Sequence, residues 1–281
     1  MRRVFNVIFP ALCGCCALLA CALLVGLVFV IAQRGLPAIS WRFITEQIRQ
    51  VGSEGGIFYN LIGTLILIAT ACLASVPIAT GLALTHAVYV RNASARSRLG
   101  LFLYTLNGIP SIVFGIFGFI VFVKYLNWGK SWLTGGLLLA LMILPTVTVA
   151  LIERINALPR KYIDVATGLG LRQSQIVWSI ILPQSWSGLI TGALLGLARA
   201  AGETAPIMFT ATIFAGASIP HGVRESPVLA LPYHIFILAQ DSFDPAVGAK
   251  LWASALVLLA LVFALSLIAL PMRLRLHDEA R

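Results

Sequence analysis

Residues 8–32 run for 25 positions without a charged side chain. A stretch of about 20 apolar residues is long enough to cross a bilayer as a helix. Inside lipid, backbone polar groups must be satisfied by the structure itself, which leaves helices or closed barrels. Continuous runs favour helices, because barrel strands alternate over about ten residues. Further runs follow within 57–89 and at about 99–123, 132–152, 188–215 and 251–271. The expected fold class is all-α: a polytopic integral membrane protein with six transmembrane helices. Composition agrees, since 11% of residues are charged, against about 25% in soluble domains.

Some runs carry their own irregularities. The second holds 33 residues, about 50 Å as one helix, so it must tilt, kink at Pro77 or protrude. The third is broken by Asn107-Gly108-Ile109-Pro110, and the freed backbone must be satisfied by neighbours or a cavity. In the first, Leu18-Leu19-Ala20-Cys21 behind Arg2 and Arg3 imitates a lipoprotein cleavage site. The apolar run continues to Ile31, which favours a first transmembrane helix. Cys13, Cys15, Cys16, Cys21 and Cys72 all fall in spans, where cysteine is expected as a small buried apolar residue.

Six spans put both termini on one side. That side carries 12 Lys and Arg against 7 on the other, with Arg199 inside span five. The excess places both termini in the cytoplasm. It also accounts for the net charge of +10 without invoking nucleic acid.

Span five is the unusual one. In residues 188–206, Gly188, Gly192 and Gly196 are spaced four apart, and Arg199 and Glu203 follow. On one continuous helix, with Gly188 at zero, Gly192 and Gly196 fall near 40° and 80°, Arg199 near 20° and Glu203 near 60°, as approximate positions. Both charges would then project from a smooth face that another helix can approach closely. A charge within a membrane costs roughly 2.5–3.5 kcal/mol and is by default functional. Two readings follow: a structural Arg–Glu pair, or a charged constriction on a solute path formed by Arg199, Glu203 and the adjacent Thr204.

No catalytic or metal-binding pattern accompanies these spans. His86, His221, His234 and His277 are scattered, and no Cys–His spacing suggests zinc. Gly129-Lys130-Ser131 fails as a phosphate-cradling loop, because Lys124 stands where its first glycine belongs. No cofactor, metal site or catalytic residue is expected on this chain.

The longest cytoplasmic segment, 153–184, reads as two short helices. Residues 161–169 follow Pro159, Gly168 and Gly170 permit a turn, and 172–181 end at Pro183. Here the residues carry a resemblance. Asp164-Val165-Ala166, Gly170, Ile180 and Leu182-Pro183 resemble the E-A-A-x3-G-x9-I-x-L-P loop of bacterial ABC importer permeases, with Asp for Glu and Val for Ala as departures. Residues 198–206 look like the R-A-x-G-E-T-A-P segment of phosphate ABC transporter permeases of the A-subunit type. Pro110-Ser111-Ile112-Val113-Phe114-Gly115, Gly55-Gly56-Ile57 with Gly63-Thr64-Leu65, and Leu231-Pro232-Tyr233-His234-Ile235 resemble other signatures of that family.

The resemblance implies a type I ABC importer permease fold. Residues 1–56 would form a first helix and extracytoplasmic loop, 57–271 the permease core, and 272–281 a cytoplasmic tail. It implies a non-catalytic subunit in the bacterial cytoplasmic (inner) membrane that passes inorganic phosphate. The implied partners are a homologous second permease, two ATPase subunits that use ATP, and an extracytoplasmic phosphate-binding protein. The helix around Asp164, Ala166 and Gly170 would be the coupling helix docked on an ATPase. Asp164 would pair with a basic residue of that partner or with Arg172. A permease for sulfate or molybdate is the near alternative, and an ion channel or proton-coupled carrier the distant one.

Overall fold

The computed structural model describes residues 2–278 apart from 50–53, 91, 215, 217, 218, 242 and 243. Gly52 and Arg91, the expected end of span five at Ala215, and tail residues 279–281 lie outside the described residues. Twelve α-helices are described: α1 (Arg2–Gly35), α2 (Trp41–Thr45), α3 (Phe58–Leu84), α4 (Ala93–Asn107), α5 (Ser111–Gly118), α6 (Trp132–Asn156), α7 (Arg160–Gly168), α8 (Gln173–Ile176), α9 (Leu182–Gly202), α10 (Ala205–Thr210), α11 (Leu231–Gln240) and α12 (Pro245–Asp278). A two-stranded antiparallel pair, β1 (Ile48–Arg49) and β2 (Glu54–Gly55), lies before α3.

The local start signals are ordinary. Ser131 begins α6, its hydroxyl accepting from the Thr134 amide at 3.2 Å, and Asn92 begins α4 by accepting from the Ser94 amide at 2.9 Å. Such caps satisfy amides that a helix start leaves open. Prolines sit in the first turns of α9, α10 and α11, where no amide partner is lost.

Five helical segments are long and apolar enough to cross a membrane: Phe9–Ala38, Phe58–Tyr89, Trp132–Asn156, Gln173–Gly202 and Pro245–Leu267. A bent pair, Ala93–Asn107 with Ser111–Tyr125, makes the sixth and turns through 91° at its break. The loss of a helical hydrogen bond at Pro110 is therefore expressed as a sharp corner.

The bundle is organised around α6, which packs against α3, α4, α5, α9 and α10. Leu138, Met142, Ile143, Val147 and Leu151 of α6 are at most 1% exposed. By contrast, the most apolar window of α1 buries nothing within the chain, and α1 packs chiefly on α12. Cys13, Cys15, Cys16 and Cys21 are exposed there, which corrects the expectation that they are buried. They face whatever surrounds α1.

Two expectations about span five also need correction. Pro183 does not stop the preceding helix. α8 continues through a π-helical turn, Val177–Ile181, directly into α9. The wider turn, with the Leu182 amide bonded to the Val177 carbonyl, lets the chain pass a residue lacking an amide. Span five is also not one helix to residue 215. It ends at Gly202, Glu203 has extended backbone, and α10 begins at Ala205.

Candidate functional site

Two interrupted spans meet in the bundle. The first break separates α4 from α5 at residues 108–110, and the second separates α9 from α10 at 203–204. Their second halves lie against each other: a Cβ at Gly115 of α5 would stand 2.9 Å from the Ala205 carbonyl and 3.2 Å from Pro206 Cα. Only a residue without a side chain lets these backbones come so close.

Arg199 bridges the two breaks. It stands in the last turn of α9, where a cation meets the unsatisfied carbonyl end of the helix. Its Nη1 donates to Asn107 Oδ1 at 2.6 Å, and Asn107 is the last residue of α4. Thr146 of α6 donates its hydroxyl to the same oxygen at 3.1 Å. Both acceptor positions of that amide oxygen are thus used, and the Asn107 amide group is fixed with its donors turned elsewhere.

Glu203 is the weaker partner. The Arg199 Nε to Glu203 Oε1 distance is 3.6 Å, an ion pair without a hydrogen bond. The side chains are 29% and 19% exposed, so both remain reachable by a small hydrophilic solute. A guanidinium carries five N–H donors, and Asn107 engages one of its groups. The remainder suits bidentate contact with an oxyanion. Thr204 lies at the joint before α10, where its side chain makes no cap bond.

The glycine row does not serve the charges as expected. Gly188, Gly192 and Gly196 are buried against α6 of the same chain. Added Cβ atoms would collide with Arg154 Cβ at Gly188, and would stand 3.0 Å from the Val147 carbonyl at Gly192 and 3.1 Å from Val147 Cγ2 at Gly196. This face is consumed within the subunit, and it fixes how α9 presents Arg199.

The segment 153–184 forms the opposite feature, a surface left open. Ala166 of α7 is 2% exposed and packs inward, while Val165 and Leu169 are 63% and 77% exposed. An apolar groove of about 440 Å³ beside α7 is lined by Tyr162, Val165, Ala166, Leu169, Ile180 and Gln184. Exposed apolar patches of this kind mark interaction sites. Gly170 turns the chain at φ +78° in open space, a conformation that glycine reaches without strain. Leu182 and Pro183 lie in the first turn of α9. Asp164 is exposed, and no ion pair joins it to Arg172 among the described residues.

At the other end, Lys130 closes α10, its Nζ donating to the Met208 carbonyl at 3.1 Å. His234 of α11 is 4% exposed. Burial, and secondarily the charge of Lys250, lowers its pKa to about 4. Among the described residues, no group of three or more His, Cys, Asp or Glu could hold a metal ion.

Sequence reasoning singled out Arg199, Glu203 and the Asn107–Pro110 break, but not the hydrogen bonds that join Arg199 and Thr146 to Asn107. The polar side chain at an interrupted span was the available signal.

Comparisons with a family model, with curated relatives and with solved structures agree. Residues 75–275 match the family model described as binding-protein-dependent transport system inner membrane component. The chain is 31% identical over 270 residues to a phosphate transport system permease protein PstA 2 of Mycobacterium bovis, covering 95% of this chain and 86% of that one. It is 32% identical over 290 residues to a probable phosphate transport system permease protein PstA of Methanocaldococcus jannaschii, covering 100% and 97%. A chain of the MetNI methionine ABC transporter, solved in inward-facing conformations, superposes with TM-score 0.62 at 14% identity, over 78% of this chain and 97% of that one. At that identity the likeness speaks for the fold alone.

Proposed function

The chain belongs to the family of binding-protein-dependent transport system inner membrane components, and on that premise we propose that it is a membrane subunit of an ATP-driven importer of inorganic phosphate. The observation that carries the proposal is Arg199, half-open between two broken spans and hydrogen-bonded at 2.6 Å to Asn107. A fixed guanidinium with unused donors suits a tetrahedral oxyanion. The names of its relatives point to phosphate.

In this reading Asn107 and Thr146 hold the guanidinium toward the path. Glu203 neutralises it when the path is empty. At about 4 Å and an effective dielectric near 20, such a pair gains about 4 kcal/mol before desolvation. An arriving phosphate competes for the same charge, and the nearby carboxylate repels the bound anion, so the site passes phosphate without trapping it.

The complex would also contain a homologous second permease, two ATPases and an extracytoplasmic phosphate-binding protein. The chain itself catalyses nothing and holds no cofactor; ATP is used by the ATPases. The open apolar face of α7 would seat on an ATPase, and Asp164 would face a basic residue there. Both termini and α7 would lie on the cytoplasmic side of the inner membrane, as the excess of Lys and Arg favours. The test is ATP-dependent uptake of labelled phosphate by the reconstituted complex, with sulfate as competitor. Uptake that sulfate suppresses as strongly as unlabelled phosphate does would overturn the assignment to phosphate.

A further inference from the structure

Behind α7, on the side away from its exposed apolar face, lies a second cavity of about 640 Å³. Its walls come from the start of α4, the end of α6, α7, α8 and the π-helical turn Thr85–Tyr89 that ends the second span. Arg96, Arg160 and Asn156 stand among its polar residues, and Val88, Ile163 and Ile176 among its apolar ones. Arg96 Nη2 donates to Asn156 Oδ1 at 2.8 Å, and Gln173 Nε2 closes one side on the Val88 carbonyl at 3.1 Å. No acidic residue lines the cavity among the described residues.

We infer that this cavity binds the headgroup of an anionic phospholipid. Two guanidiniums without a counter-charge in the wall form a receptor for a phosphodiester, which arginine holds through paired hydrogen bonds. The volume falls in the range of roughly 300–1,000 Å³ typical of sites for ligands with a substantial body. A bare tetrahedral anion would leave most of it, and the apolar floor, uncovered. A headgroup together with its glycerol ester and the first acyl carbons would cover both. The cavity also lies where the second, third and fourth spans end, and basic pockets between spans on the cytoplasmic side suit such lipids.

The bound lipid would join Arg96 at the start of α4, Asn156 at the end of α6 and Arg160 at the start of α7. It thereby ties the α7 segment to the bundle. The inference draws on the proposed function only for which leaflet supplies the lipid. The test reads lipid retention without transport, so failed phosphate uptake and failed lipid binding are separate results.

The intact complex is placed in nanodiscs of phosphatidylcholine doped with phosphatidylglycerol, and retained lipid is counted by native mass spectrometry. Wild type retains phosphatidylglycerol selectively. The double variant R96Q/R160Q binds it roughly thirtyfold more weakly, the effect of two basic contacts at a membrane surface. R160Q alone, at an exposed helix start where folding is undisturbed, shows an intermediate loss. R98Q serves as the control, because Arg98 is exposed on the same helix and outside the cavity; it retains lipid as wild type does. Undiminished retention by R96Q/R160Q and R160Q, or equal loss in R98Q, overturns the inference. So does displacement of the lipid by millimolar inorganic phosphate at matched ionic strength, which would make free phosphate the occupant.

Discussion

Arg199 donates to the Asn107 side-chain oxygen across 2.6 Å, so the ends of two interrupted spans are joined by one charge-assisted hydrogen bond. That bond is shorter than the 3.6 Å contact between Arg199 and Glu203 on its own segment. The guanidinium is therefore held mainly by a neighbouring span and only balanced by its local carboxylate. Motion of α4 relative to α9 would move the charge directly.

Replacing Asn107 by leucine removes the acceptor for both Arg199 and Thr146. A hydrogen bond to a charged group is worth about 1.5–3 kcal/mol, so uptake should fall roughly ten- to a hundredfold in Asn107→Leu, by the same arithmetic. Initial rates of phosphate uptake by complexes normalised for assembly check this. Rates equal to wild type would make the contact incidental.

Arg199→Lys keeps the charge and loses the planar fork. It should assemble normally and transport at roughly a tenth of the wild-type rate or less, the loss of one charged hydrogen bond. A fully active lysine variant would show that charge alone suffices.

Gly196 separates α9 from Val147 and Ile143 of α6, with 3.1 Å and 3.3 Å available to a Cβ. Gly196→Leu should destabilise the fold by about 1–3 kcal/mol through overpacking, read as a lower melting temperature in detergent. Leu169→Glu should leave that temperature nearly unchanged, since Leu169 is 77% exposed and surface changes stay within about 0.5 kcal/mol. The same variant should lose co-purifying ATPase. Retained ATPase would move the docking surface elsewhere.

His234 gives a pH dependence of stability. Its folded pKa of about 4 lies below the ordinary histidine value of 6.5. The unfolded chain therefore takes up a proton at mildly acidic pH that the folded chain refuses. The contribution is complete above about pH 6.5, is lost as pH falls towards 4, and amounts to roughly 3 kcal/mol. Thermal melts between pH 4 and 7 should show this slope in wild type and a shallower one in His234→Gln. Equal slopes would remove His234 as the titrating group.

Much of this architecture was legible in the sequence because lipid imposes a simple rule. Apolar length gave the spans, Pro110 gave the corner in the third, and Pro159 with Gly170 gave α7 and its turn. Span five was misread where the rule runs out. Hydropathy does not distinguish one helix from two segments with an extended joint at Glu203, and Pro183 looks like a stop unless a π-helical turn precedes it. The glycine row correctly announced a close helix neighbour, but its partner, α6, is set by tertiary packing that periodicity does not encode. For the same reason Asn107 looked like part of a break and not like the holder of a charge 92 residues away.

The most direct test of the central claim is the initial rate of ATP-driven phosphate uptake by proteoliposomes carrying either wild-type or Arg199→Ala complex, each shown to be fully assembled. The wild-type complex should take up phosphate in excess sulfate, and the Arg199→Ala complex should take up none above the ATP-free background. Uptake by the assembled variant at the wild-type rate would contradict the account.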